Sequence, residues 1–227
     1  MEVCSEITER EPGVLAVNFE KIGSFERINV VGTSGSGKST FARELAELLN
    51  LPFYEMDQLF WKSDWHESSD DELFRKVHEV TSRSRWVLDG NYARTIPVKW
   101  KQVQLVIWLD PSFLQTVLRV TKRTIYHSFT QKEIWPGTGN RESLRKAFLS
   151  KDSIIWWAIT TYRNNRKKYS SIISSPVYSH ICFIRLNSQT GVASFLKGLR
   201  EVAAQSHAPE RWANLKTSPQ TITLERR

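Results

Sequence analysis

The chain has 227 residues, 40% hydrophobic and 25% charged, with 32 Lys/Arg against 24 Asp/Glu for a net charge of +8. Such a composition fits a soluble globular protein with one sizeable α/β core or two small ones. No apolar run approaches the roughly 20 residues of a membrane span, Cys4 and Cys182 alone make no disulfide framework, and no Cys/His cluster has zinc spacing.

Residues 1–13, MEVCSEITEREPG, are acidic and polar, unlike a signal peptide, so the cytoplasm is the default compartment. Residues 1–26 offer no secure core element and read as an N-terminal extension; GVLAVNF (13–19) is at most a candidate edge strand. From residue 27 the pattern becomes regular. Apolar or β-branched runs at 27–31, 53–56, 86–89, 104–109 and 180–186 read as strands, with Cys182 a small buried hydrophobe in the last. Helical spacing appears at 41–49, at 70–83 after an acidic start, at 113–129 after the cap-like Asp110-Pro111-Ser112, at 153–169 and at 192–204. Strands alternating with helices predict an α/β three-layer sandwich around a parallel sheet, whose ligands bind at the carboxyl ends of the strands. The stretch TQKEIWPGTGN (130–140) reads as a loop, and the polar tail 205–227 is expected to be mobile.

Chemistry concentrates at those strand ends. GTSGSGKST (32–40) follows the first strand and opens a helix, and Gly32, Gly37, Lys38 and Ser39 have P-loop spacing. Gly35 and Gly37 let the backbone bend into a nest of N–H groups, which with Ser34, Ser36 and Thr40 wraps a phosphate. The helix N-terminus adds partial positive charge. Lys38 supplies a point charge for β and γ phosphates, and the Ser39 hydroxyl can ligate Mg²⁺. In WVLDGNY (86–92) a strand ends in Asp89, placed to hold the same Mg²⁺. In YEMDQLFW (54–61) the second strand closes on Asp57, placed to bind an acceptor hydroxyl or act as general base. Phe60, Trp61 and Trp65 follow; they suit a flat ligand, or equally plain core packing.

Charge is localised as well. Residues 119–168 hold twelve Lys/Arg against three Asp/Glu, a net +9, leaving the rest of the chain near neutral. Arg119 and Arg123, Arg141 and Arg145, then Arg163 and Arg166 recur at helical spacing. Planar, bidentate guanidinium groups suit a lid that covers a transferring phosphoryl group and excludes water. The alternative for such a block is a nucleic-acid surface, although no helix-turn-helix or zinc-finger signature accompanies it.

Together these motifs resemble the adenylate-kinase-like branch of P-loop kinases, and within it the group known as DNA-topology-modulation proteins or adenylate-kinase-related kinases. The resemblance runs from about residue 27 to 204. It rests on VVGTSGSGKSTFARELAELLNLPFYEMDQLFW, WVLDGNY, VIWLDPSF followed by RVTKRT, IIWWAITTYRNNRKKY and ICFIRLNS. It implies a five-stranded parallel sheet, an acceptor region after the second strand and a helical lid over about 119–168. It also implies that Arg119 and Arg123 contact the nucleotide, and that the loop at Asn187 and Ser188 borders the adenine. The chain departs from adenylate kinases at Ala93, where they carry a phosphate-binding Arg, and Arg94 comes one position late; this argues against AMP as acceptor. The expectation is therefore an ATP- and Mg²⁺-dependent phosphotransferase acting on a nucleoside monophosphate or another small hydroxyl or phosphate compound. Lys38, Asp57, Arg119, Arg123, Arg141 and Arg166 are its catalytic set, and the protein is a monomer or homodimer. The competing expectations are a nucleic-acid-associated regulator that uses ATP as a switch, and an ATPase with no acceptor.

Overall fold

A strand covered on both faces must be apolar on both, and the sheet forms where the sequence has such runs. The computed structural model describes residues 9–11, 14–15, 17–135, 137–142 and 153–206. Its strands are β1 (Glu9–Glu11), β2 (Val14–Leu15), β3 (Arg27–Gly32), β4 (Phe53–Glu55), β5 (Trp86–Asp89), β6 (Leu105–Leu109) and β7 (Cys182–Leu186). Its α-helices are α1 (Phe19–Gly23), α2 (Lys38–Leu48), α3 (Met56–Phe60), α4 (Asp70–Thr81), α5 (Ile96–Lys99), α6 (Phe113–Thr130), α7 (Ile154–Ile173) and α8 (Gln189–Ser206).

Strands β3 to β7 form one parallel sheet in the order β4-β5-β3-β6-β7, with Val30 opposite Asp89 on one side of β3 and Gly32 opposite Leu109 on the other. Strand β3 is central, so the loop that leaves its carboxyl end emerges between the ends of β5 and β6. This is the crevice at which open α/β sheets take ligands. Helices cover both faces, which is the α/β P-loop architecture that the alternation of elements predicts. On one face Phe19, Ile22, Phe41, Leu45, Phe195 and Leu199 pack against Ile28, Val30 and Ile107. On the other, Met56, Phe60, Leu73, Val77, Trp100 and Tyr169 pack against Val31, Leu88 and Val106. Among the described residues, no helix is long and apolar enough to cross a membrane.

Side-chain caps start the helices where the sequence places them. Ser69 accepts a hydrogen bond from Glu72 N at the start of α4, Ser112 from Gln115 N at α6, and Ser153 from Ile155 N at α7.

The N-terminal boundary needs correction. Residues before 27 are not all an extension, because Val17, Phe19, Ile22 and Phe25 are buried in the core. Helix α1 begins at an Asn18 cap whose side chain accepts from Lys21 N, and the Phe19 ring packs on Phe195 of α8. The candidate edge strand at 13–19 does not join the main sheet: Val14–Leu15 pairs antiparallel with Glu9–Glu11, and Phe19 is helical. Arg145 and residues 207–227 of the tail lie outside the described residues.

Candidate active site

The loop from Gly32 to Gly37 carries the backbone conformations that its glycines permit. Gly35 (φ 85°) and Gly37 (φ 90°) are both left-handed, and Gly37 caps the N-terminus of α2. Lys38 and Ser39 are half-buried in the first turn of α2; Thr40 is exposed. Gly35 also needs to be small. A Cβ there would lie 2.6 Å from Thr116 O and 3.0 Å from Val120 Cβ, so α6 is seated directly against the loop.

Asp89 ends β5 beside this loop with only 4% of its surface exposed. Burial pushes its carboxyl up to about 6, while the Lys38 charge and a hydrogen bond from Ser39 pull the other way. Its Oδ1 has no hydrogen-bond partner. A buried, unpartnered carboxylate oxygen next to a lysine and a serine hydroxyl suits a divalent cation, so Ser39 and Asp89 fit Mg²⁺ as the sequence suggests.

The segment after Asp89 is tied down from several directions. Asn91 pairs with the Gly32 backbone: its Oδ1 accepts from Gly32 N at 2.9 Å and its Nδ2 donates to Gly32 O at 2.7 Å. Tyr169 of α7 donates to the same Oδ1 at 3.1 Å. From below, the fully buried Lys99 donates to Gly90 O and Asn91 O, both at 2.9 Å. Burial, and secondarily the Lys168 charge, lower its ammonium to about 7. Nothing in IPVKW marks Lys99 as more than a helix lysine, and the role of Asn91 depends on a partner 59 residues away.

Asp57 stands in the first turn of α3 on the same edge of the sheet, and its charge is felt at Asp89. Tyr92 donates to Asp57 Oδ1 at 2.7 Å; burial, then the Asp57 charge, hold the Tyr92 phenol well above its ordinary range. From Tyr92 a series of rings runs outward through Phe60, Trp61 and Trp65 to Trp135, with successive centroids 5.1, 4.9, 5.6 and 5.8 Å apart. Arg94 lies 5.1 Å from the Phe60 ring centre and pairs with Asp70 at 2.9 Å.

The arginines divide. Arg119 reaches the loop itself, with Nη1 donating to Ser36 O at 3.3 Å and Nη2 to Gln189 Oε1 at 3.0 Å. It therefore bridges the P-loop and the turn that carries the exposed Asn187 and the half-buried Ser188. Arg123 is exposed one turn further along α6, and Arg141 is exposed in the loop beyond. Arg166 points elsewhere: its Nε lies 3.2 Å from Oδ2 of the buried Asp110 at the end of β6, where Arg185 also binds. Tyr162 donates to Pro111 O at 2.9 Å. Residues 162, 166 and 169 thus fasten one face of α7 to the ends of β5 and β6. The sequence shows this face only as basic helical spacing; the acidic partner comes from another strand.

The sequence matches the protein family described as AAA domain over residues 28–135, from the P-loop strand to the aromatic loop. No curated protein matches the chain. Among solved structures, a shikimate kinase from Acinetobacter baumannii in complex with shikimate is similar at 18% identity and a TM-score of 0.48, covering 83% of this chain and 99% of that one. A gluconokinase from Sinorhizobium meliloti 1021 is similar at 16% identity and 0.45, covering 80% and 93%. A shikimate kinase from Bacteroides thetaiotaomicron follows at 13% and 0.46, covering 80% and 99%.

Proposed function

We propose that the chain is an ATP- and Mg²⁺-dependent kinase that transfers the γ-phosphoryl group of ATP to a small acceptor held beside Asp57. One observation carries this reading. The buried, unpartnered Asp89 oxygen lies between a phosphate-binding loop on one side and the hydrogen-bonded Asp57–Tyr92 pair on the other, so donor and acceptor groups share one strand edge. The backbone nest and Lys38 would hold the triphosphate, and Arg119 would steady it from α6. Ser39 and Asp89 would hold Mg²⁺, which when bound neutralises charge on the phosphate oxygens. Asp57, oriented by Tyr92, would accept a hydrogen bond from the acceptor and draw off its proton. Arg123 and Arg141, exposed on the lid side, are free to swing toward the transferring group. Arg166 would reach it only by leaving Asp110.

The acceptor class is a small hydroxyl or phosphate compound, a nucleoside monophosphate among the candidates. The missing guanidinium at Ala93 weighs against AMP, and Arg94 is engaged with Asp70. The nucleic-acid alternative draws less support, since within the basic block Arg119 is engaged by the P-loop and Arg166 by Asp110.

An ADP-release screen over nucleoside monophosphates, nucleosides and small polyols tests the proposal. An acceptor-dependent signal is expected, and Lys38→Ala should lower it by about 10²-fold or more. Undiminished turnover in that variant, or ADP release indifferent to every acceptor, would overturn it.

A further inference from the structure

The loop after α6 is not free-standing. Asn140, with 1% of its surface exposed, reaches across to the segment after α3. Its Oδ1 accepts from Trp65 N at 2.8 Å, and its Nδ2 donates to Lys62 O, also at 2.8 Å. Its own loop is closed on itself, with Ile134 N donating to Asn140 O at 2.9 Å, and this sets the buried Trp135 edge-on to Trp65. Both polar ends of the Asn140 amide are therefore spent on backbone more than 70 residues away in sequence.

The segment it grips is strained. Asp64 (φ 56°) and Trp65 (φ 60°) are both left-handed, a conformation that residues other than glycine, asparagine and aspartate seldom adopt and that the bulky Trp65 indole disfavours. Two such residues in succession persist only when their surroundings over-determine them, and clamps over ligands are where this recurs. Here those surroundings are the Asn140 amide and the Trp135 ring.

We propose that Asn140 is a latch, a positioning residue that, with Trp135, fastens the loop after α6 onto the 62–65 turn. Latching sets Trp65 and Trp135 as the outer end of the aromatic series that begins at Tyr92 and Asp57. Release of the amide lets Trp65 relax out of the left-handed region, and the two loops part. The latch thus ties the loop after α6 to the acceptor side of the site and not to the P-loop. Its consequence for turnover rests on the kinase reading; the coupling of the two loops does not.

Two measurements separate these. Backbone amide hydrogen exchange on the full chain, without ligand, reads the latch directly. In Asn140→Ala, residues 62–67 and 131–142 should both exchange at least about tenfold faster. Trp135→Ala should do the same, while Trp135→Phe, which keeps a ring against Trp65, should stay near wild type. The latch is refuted if 131–142 loosens in Asn140→Ala and 62–67 does not, whatever the chain catalyses. With the acceptor that the ADP-release screen identifies, Asn140→Ala should raise the acceptor KM about five- to thirtyfold and leave the ATP KM within about twofold. Equal rises in both, or a fall in kcat alone, would overturn the acceptor-side role. A screen that finds no acceptor counts against the kinase reading, and the exchange result still decides the latch.

Discussion

At the scale of single residues, the site pays in stability for its chemistry, and Asp89 shows how much. Its carboxyl belongs near 3.8 in an unfolded chain and is pushed up to about 6 in the fold, chiefly by burial. Below the lower value both states hold the proton and the fold is not penalised. Between the two values the unfolded chain ionises while the fold keeps its proton, so stability falls as pH rises. Above about 6 the loss is complete, and a two-unit difference amounts to roughly 3 kcal/mol. Asp89→Asn keeps the shape and removes the charge. The metal-free variant should therefore be more stable than wild type at pH 7.5, by about 1–3 kcal/mol in denaturant unfolding, with the gain shrinking toward pH 4. The same variant should lose Mg²⁺-dependent turnover. Equal unfolding midpoints at pH 7.5 and pH 4 would show that the buried carboxylate costs the fold nothing.

At the scale of elements, α6 is set against the phosphate loop by what Gly35 lacks. In Gly35→Ala the new methyl would meet a backbone carbonyl at 2.6 Å, and its φ of 85° is itself unfavourable for alanine. The expected loss is about 2–4 kcal/mol together with weaker ATP binding, since α6 also carries Arg119. Gly137 is the control: its φ of 81° is equally left-handed, yet nothing lies within 4 Å of a Cβ there, so Gly137→Ala should cost only about 1 kcal/mol. Similar losses at both positions in urea unfolding would mean that conformation alone, and not the seat of α6, makes Gly35 necessary. These elements were legible to very different degrees. Strands β3, β5 and β6 announce themselves because a doubly covered strand is mostly apolar, and the P-loop because its geometry demands glycines at fixed spacing. Helix α1 does not, because five residues carry no periodicity and Phe19 gains its meaning from α8, far along the chain. Asn140 in GTGN reads as a turn residue, since turns and buried amide clasps favour the same side chain. Lys99 is silent, and Asp110 reads only as part of a helix cap, because a buried charge is recognised by its partner, and the partners come from other elements.

At the scale of the whole molecule, residues 17–25 and α8 complete one face of the core, so the two ends of the described fold are energetically one unit. Phe19 is 4% exposed, and its Cε2 would lie 2.5 Å from a Cβ placed on Gly198. The absence of a side chain at 198 is therefore what admits the Phe19 ring. Removing the ring should cost about 3–5 kcal/mol through lost burial and the cavity left behind. Adding a methyl at Gly198 alone gains about 1 kcal/mol of helix propensity but drives a carbon into that ring, so Gly198→Ala should be destabilising overall. In the double variant the methyl enters space that the ring has vacated: the clash is gone, the helix gain remains, and part of the cavity is filled. The losses should therefore fall short of additive by about 1–3 kcal/mol, measured as a double-mutant cycle in denaturant unfolding. Strict additivity would mean that the Phe19 segment does not bear on α8. Residues 17–25 would then contribute nothing to holding the last helix, and through Gln189 at its start the Arg119 side chain, against the phosphate loop.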